Sequence, residues 1–344
     1  MRNFRFRLIV ILIVLTDVIL VSCSAGEEST PEAVVPDKLK VQTTAFISMA
    51  PLYIAQEEGY FAEQNLDVEF ITFDPSSTAL PALASGELDV MAAGLSTGLI
   101  NVILRDQNIR IVADRSNADP DGCTYTALIV SKDALESGEL KDPSDLAGKA
   151  VRSTTIGPTG FLLDQILGQY GLTMEDLEII NLPVPSVGPA LADGSIIGAV
   201  MSEPYLTRFE QTGDGVIWYR GEEVTPYAVT GVVVFGPTIL EDNRDLGNRF
   251  MVAYLKGVRQ YNQGKTERNL EIISAFTELD SETLDAICLP TFTNDGRINF
   301  ELGYATFQDW ALARGDLDGA LTKEELIDES FVDYANQVLD GNTP

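Results

Sequence analysis

The chain contains no histidine. That absence removes the commonest general base, the usual imidazole ligand of zinc, and the proton acceptor of a serine triad. Basic residues are scarce too: 23 Lys and Arg stand against 52 Asp and Glu, a formal net charge of −29 over 344 residues. A nucleic-acid partner needs a basic face to neutralise phosphates, so none is expected. An anionic membrane surface is an equally poor match for the body of the protein. The acidity itself suits solubility, including in salty surroundings. Three cysteines, at 23, 123 and 288, leave no basis for a cysteine-rich metal cluster. What the chain does have is 45% hydrophobic residues, enough for real cores, and a length that suits about two lobes.

The N-terminus carries the only extended apolar run. Arg2, Arg5 and Arg7 precede Leu8 to Leu15, Asp17 interrupts, and Val18 to Val21 resumes. The run is too short and broken for a membrane span and has the build of a targeting segment. It ends Leu20-Val21-Ser22-Cys23, which looks like a bacterial lipobox with Cys23 as the lipid-modified first residue. Removing residues 1–22 would take three arginines and one aspartate and leave a charge of −31. Residues 23–37 contain Gly26, Pro31 and Pro36 without periodicity and are expected to form a flexible tether. Export would put Cys123 and Cys288 in an oxidising compartment. There they either pair or remain two buried thiols, because the sequence does not fix their distance.

The chain is organised around the stretch from Val41 to Phe70. The run from Val41 through Phe46 predicts a strand. Ala50-Pro51 then opens a helix, since proline is well placed in a first turn. Leu52, Ile54 and Ala55 give that helix an apolar face, Gly59 ends it in a left-handed residue, and Leu66, Val68 and Phe70 alternate as the next strand. Such a strand–helix–strand unit aims its helix N-terminus at the strand ends, where open α/β sheets take ligands. The plan continues with a helix over Ser76 to Gly86, a buried strand at Leu88 to Ala93, a helix over Leu99 to Arg105 and a strand at Ile109 to Ala113. Tyr125 to Ser131 is expected to carry the first crossing between lobes. A second series follows: a strand at Val151, the turn Thr155 to Gly160, a helix over Phe161 to Tyr170, the stretch Asp176 to Leu182 leading to the break at Pro183 and Pro185, a helix near Val187 to Ala192, a strand at Ile196 to Met201, and Glu203-Pro204. Tyr227 to Phe235 is expected to return to the first lobe. From Pro237 on, apolar residues fall at helical spacing over Phe250 to Tyr261, Leu270 to Phe276, Tyr304 to Leu312 and Ser330 to Leu339.

Four motif matches fail on closer reading. Gly94-Leu-Ser96-Thr-Gly98 has the form of a nucleophile elbow, but without histidine no base can take the serine proton. The same turn instead presents backbone N–H groups and hydroxyls at a helix start. Two acidic segments mimic calcium loops, yet one lacks its terminal glutamate (Leu302) and the other begins with Arg314. Gly264-Lys265-Thr266 follows a helix rather than a strand and is no phosphate loop.

The order of these pieces over residues 38–340 resembles the nitrate, sulfonate, taurine and thiamine-precursor binding proteins of ABC importers. Ala50-Pro51 to Phe70 resembles their first motif; Ala79-Leu80 to Val90, Asp145 to Lys149, Glu203-Pro204 and Gln308 to Trp310 resemble later landmarks. The resemblance implies an α/β fold of periplasmic-binding-protein type II, two lobes with mostly parallel sheets and two crossovers. Lobe one would comprise residues 38–126 plus 228–344, and lobe two residues 127–227. The implied role is capture of a small organic solute, a sulfonate- or taurine-like monoanion or a thiamine pyrimidine precursor, by a monomer outside the cytoplasm. Its partners would be an ABC permease and, through Cys23, the membrane; no cofactor and no metal are expected. The family's pyrimidine synthase consumes an active-site histidine, and this chain has none to offer. A ligand sensor of the same fold, signalling through a membrane partner, is the alternative. The candidate ligand residues are Phe46, Ser48, Met49, Ser96, Thr97, Thr155, Gly157, Thr159, Glu203 and Tyr227. They supply hydroxyls, helix-start N–H groups and aromatics but no cation, with Arg115 and Arg152 only nearby. Glu203 either accepts from a ligand amine or simply occupies a helix start.

Overall fold

The computed structural model describes residues 35–73, 78–105 and 108–341. The expected leader 1–22, Cys23, most of the tether and the first two residues of the Ser76 helix lie outside the described residues. Among the described residues ten strands are formed: β1 (Asp37–Thr43), β2 (Leu66–Thr72), β3 (Val90–Gly94), β4 (Arg110–Asn117), β5 (Thr126–Val130), β6 (Ala150–Arg152), β7 (Glu178–Ile180), β8 (Gly198–Ser202), β9 (Val216–Arg220) and β10 (Val229–Phe235). They make two sheets of one plan, β2-β1-β3-β10-β4 and β7-β6-β8-β5-β9. Four strands of each sheet run one way; β10 in the first and β5 in the second run against them. We call each sheet with its covering helices a lobe.

Two boundaries differ from the sequence reading. β1 already pairs at Asp37, opposite Leu66, so the tether is shorter than expected. It also stops at Thr43 rather than Phe46, because Phe46 to Met49 turns in a single 3₁₀ loop closed by Met49 N–H on the Phe46 carbonyl (2.9 Å). The helix Ala50–Glu57 follows with Pro51 in its first turn and ends before Gly59 at φ 75°. That helix is clamped from behind by the long helix Arg244–Tyr261. Gly257 makes the approach possible: a Cβ there would lie 2.2 Å from the Pro51 carbonyl oxygen.

Leu39, Val41, Val90 and Val233 pack one face of the first sheet against these helices, with Phe235, Phe250 and Phe331 joined edge to face. Met91, Val232 and Val234 pack the other face against Phe307 and Trp310 of the helix Ala305–Ala313. The second sheet is likewise covered on both sides, by Leu163 and Ile166 on one and Leu206 and Phe209 on the other. Strands buried on both faces need near-continuous apolar runs, and β3, β5 and β10 have them. Among the described residues no helix is long and apolar enough to cross a membrane.

The segments that carry the chain between sheets are 118–125 and 221–228, immediately before β5 and β10. They run side by side: Ala118 N–H donates to the Ala228 carbonyl (2.9 Å) and Tyr227 N–H to the Ala118 carbonyl (2.6 Å). The Thr124 hydroxyl donates to buried Glu222 (2.5 Å). Cys123 and Cys288 are joined, which resolves the open alternative and ties the outgoing segment to the C-terminal helical part of lobe one.

Candidate functional site

The C-terminal edges of the parallel strands in both sheets face one another across a cleft. On the first lobe, Ser48 and Met49 sit in the 3₁₀ turn and are buried, while Phe46 is 58% exposed at its start. Ser96 Oγ accepts from Leu99 N–H (3.3 Å), so the residue of the elbow-like motif caps the helix Thr97–Arg105. The N–H of buried Thr97 donates across the cleft to the Ile156 carbonyl (3.3 Å).

On the second lobe, Gly157 precedes the helix Pro158–Gly168. The Thr154 and Thr159 hydroxyls hydrogen-bond each other (2.8 Å), and Gly160 lies so close that a Cβ would sit 2.5 Å from the Thr154 carbonyl oxygen. Thr155 is exposed beside Ile156 at the rim. Tyr227 holds φ 64° in the return segment and is 39% exposed. Glu203 is engaged by other parts of the protein. Its oxygens accept from Thr207 N–H (3.0 Å), the Thr207 hydroxyl (2.7 Å) and, from the other lobe, Cys288 N–H (3.2 Å). They start a helix and bridge the lobes.

The structure also gathers residues outside the candidate set. Arg115 of β4 is 6% exposed, and its side chain lies across β10. Its Nε and Nη2 donate to the Ala93 carbonyl at the end of β3 (3.1 and 3.0 Å), and Nη1 donates to Ser48 Oγ (2.7 Å). Gly231 provides the path, since a Cβ there would meet the guanidinium at 2.5 Å. Tyr125 lies close to this group, and burial pushes its hydroxyl up to about 12. Burial also lowers the Arg115 guanidinium from its ordinary value. Neighbouring Asp114 faces the opposite side, accepting from Asn117 and from Thr293 N–H (both 3.0 Å), and burial drives its carboxyl to about 7. Arg115 lies outside the loops to which ligand contacts were assigned. Its place one turn of the pleat from the end of β4 was the available signal.

The lobes are closed on each other. Phe161 of the second lobe packs against Phe307 and Trp310 of the first, with ring centroids 5.7 and 5.5 Å apart, and Trp310 Nε1 donates to Asp164 (2.8 Å). A separate small pocket against the crossing segments, beside Tyr125, Thr126, Glu222 and Thr230, keeps about 30 Å³ of free space, room for one or two waters, and none of the candidate ligand residues lines it.

Two lobes of one plan, hinged by paired segments and meeting through helix starts, match a known pattern in sequence as well as shape. The NMT1/THI5-like family pattern matches residues 47–263. The chain belongs to the NMT1/THI5-like family. The binding protein YtlA of Bacillus subtilis is 26% identical over 259 residues, 72% of this chain and 73% of that protein. The taurine-binding periplasmic protein of Escherichia coli is 29% identical over 182 residues, 52% of each chain. In structure, the alkanesulfonate-binding protein SsuA from Xanthomonas axonopodis pv. citri, solved with MOPS, superposes with a TM-score of 0.66 at 15% identity, over 86% of this chain and 99% of that one. At that identity the likeness speaks for the fold, the periplasmic binding protein architecture.

Proposed function

We propose that this family member captures a small organic solute outside the cytoplasm, closes on it by parting and rejoining lobes 38–126 plus 228–344 and 127–227, and delivers it to an ABC permease. The observation that carries the reading is the closed cleft itself. Ser48, Ser96, Thr97, Thr155, Gly157 and Thr159 bring hydroxyls and helix-start N–H groups to facing edges, flanked by Phe46, Met49 and Tyr227. The chain has no histidine to turn that arrangement into an acid–base pair. These groups hold a ligand rather than react with one. In the same reading Glu203 serves as a closure contact, and Cys23 carries lipid that keeps the protein at the membrane as a monomer.

Binding to the folded state alone raises stability by RT ln(1 + [L]/Kd), about 2.7 kcal/mol at a hundredfold excess over Kd. A melting-temperature screen with taurine, alkanesulfonates and aminopyrimidines should therefore give a shift of several degrees for at least one of them. A flat screen at millimolar concentrations overturns the capture reading. Mass spectrometry of the membrane-extracted protein should find a lipid-modified Cys23 as its first residue; an unmodified N-terminus refutes the anchor.

A further inference from the structure

We infer that the Cys123–Cys288 disulfide is a strap on the hinge: it confines rotation of the lobes to the junction after Cys123, and its reduction by a dithiol shifts the protein toward an open state. The inference rests on the reading that the lobes part and rejoin, and adds a control to it.

The outgoing crossing is held to lobe one along nearly its whole length. Asn117 N–H donates to the Thr291 carbonyl (3.2 Å), and Cys123 is bonded to Cys288. Between them Gly122 lies against Thr291, where a Cβ would sit 3.2 Å from the hydroxyl. The segment that receives these contacts is itself anchored in lobe one. Lys265 Nζ donates to the Asp285 and Ile287 carbonyls (2.6 and 2.8 Å), and the buried Tyr261 hydroxyl donates to the Pro290 carbonyl (2.9 Å). One residue further on, the chain has changed sides. The Thr124 hydroxyl donates to Glu222 (2.5 Å) and accepts from Arg220 at the end of β9. Gly221, between those two, presses on β5, since a Cβ there would lie 2.6 Å from the Thr126 carbonyl oxygen.

The return crossing changes sides as abruptly. The Thr225 hydroxyl donates to the Gly221 carbonyl (3.1 Å) in lobe two. Tyr227 belongs to lobe one: its N–H donates to Ala118, and Gly303 approaches so closely that a Cβ would lie 2.4 Å from the Tyr227 carbonyl oxygen. The pivots are therefore short, Cys123 to Thr124 on the way out and Thr225 to Tyr227 on the way back.

Cys288 also reaches lobe two directly, through its N–H on buried Glu203 (3.2 Å). Without the disulfide, residues 119–123 join the outgoing pivot. Their added freedom is realised when the lobes part, because in the closed state both ends of the crossing are fixed. Reduction thus favours opening. Cys123 is exposed, so a dithiol can reach the bond. Its thiolate attacks the Cys123 sulfur and Cys288 leaves as a thiolate. The second thiol then closes the reagent's own disulfide and releases Cys123. Two electrons pass from the dithiol to the cystine, and the dithiol's two protons end on the two cysteines.

Residue-resolved hydrogen exchange on the purified protein, corrected for intrinsic rates, tests the strap. In the oxidised form Thr97 N–H and Cys288 N–H, whose acceptors lie across the cleft, should exchange faster than the amides of β3. They should also exchange faster than Asn117 N–H, whose acceptor moves with it. Dithiothreitol, with reduction confirmed by alkylation of both cysteines, should speed Thr97 by about fivefold or more, the equivalent of one backbone residue's freedom, while β3 stays protected. Cys123→Ser combined with Cys288→Ser should reproduce the reduced form. A Thr97 rate that reduction changes by less than about twofold overturns the inference while capture stands. So does an Asn117 N–H that exchanges as fast as Thr97 in the oxidised protein, and this comparison decides the matter if the reduced protein unfolds. If Thr97 exchanges no faster than β3 in either form, the lobes do not part, and the capture reading falls with this inference.

Discussion

Asp164→Ala should open the cleft without unfolding either lobe. The Trp310 Nε1–Asp164 hydrogen bond, 2.8 Å long, joins the helix Pro158–Gly168 to the helix Ala305–Ala313 and so exists only when the lobes are together. A hydrogen bond to a charged acceptor contributes about 1.5–3 kcal/mol. Asp164 is half-buried, so solvent competes for it and the lower end applies. At about 1.4 kcal/mol per decade, the closed-to-open ratio should fall about tenfold. The packing of Phe161 on Phe307 and Trp310 remains in the variant, so closure is weakened rather than abolished. The chain has two tryptophans, and in a Trp218→Phe background the emission of Trp310 reports its own environment. Opening should shift that emission to the red and increase the radius of gyration in small-angle scattering. Apparent affinity scales with the fraction of molecules able to close, so it should drop by up to the same factor. Asp164 also accepts from Met174 N–H at 3.3 Å within its own lobe, so a modest loss of melting temperature is expected and is a separate effect. Trp310→Phe removes the same bond from the other side and should match the change in affinity. If both variants leave scattering and affinity as in the wild type, the bond has no part in closure and the reasoning fails.

Two further outcomes follow from buried groups near the crossings. Asp114 has a folded-state pKa of about 7, well above its ordinary value, so between about pH 4 and 7 the folded protein binds a proton that the unfolded chain has released. Stability should therefore fall as pH rises through that window, and melting curves of Asp114→Asn should lose this component; parallel curves for both proteins refute the assignment. Reducing the Cys123–Cys288 bridge, which closes a loop of 165 residues, should lower the melting temperature by an amount equivalent to about 2–5 kcal/mol. Calorimetry with and without reductant measures it, and coincident transitions refute a stabilising role.

Much of the fold was legible because its signals are local. Pro51 at a helix start, the alternation Leu66, Val68, Phe70, and the stripe from Phe250 to Tyr261 each depend on residues within a turn or two, and each appears where its pattern put it. What depends on distant residues was not legible. Arg115 looked peripheral because nothing near it in sequence shows that Gly231, 116 positions on, clears a path to Ala93 and Ser48. The role of Glu203 was undecided because Cys288 N–H, which helps to saturate it, comes from another part of the chain. The pairing of the cysteines required the return of lobe one after an entire second lobe. The acidic side of the composition said least about the site, since the group that stands out there is a cation.

The two strands that run against their sheets explain why the hinge and the cleft coincide. In an all-parallel sheet each strand would start at the edge away from the ligand loops, and a crossing chain would have to enter on that far side. β5 and β10 are reversed, so Thr126 and Val229 begin at the cleft edge, directly after the segments 118–125 and 221–228. The paired crossings thus lie at the cleft edge of both sheets, and Tyr125, the residue before β5, lies there close to Arg115. A rotation about these segments would draw Ile156 away from Thr97, breaking the Thr97 N–H to Ile156 carbonyl bond, while the Arg115–Ser48 contact within the first lobe stayed intact. Enclosure should therefore respond to changes made far from that contact: substitutions at Asp164 or Trp310 should change how readily any solute is enclosed.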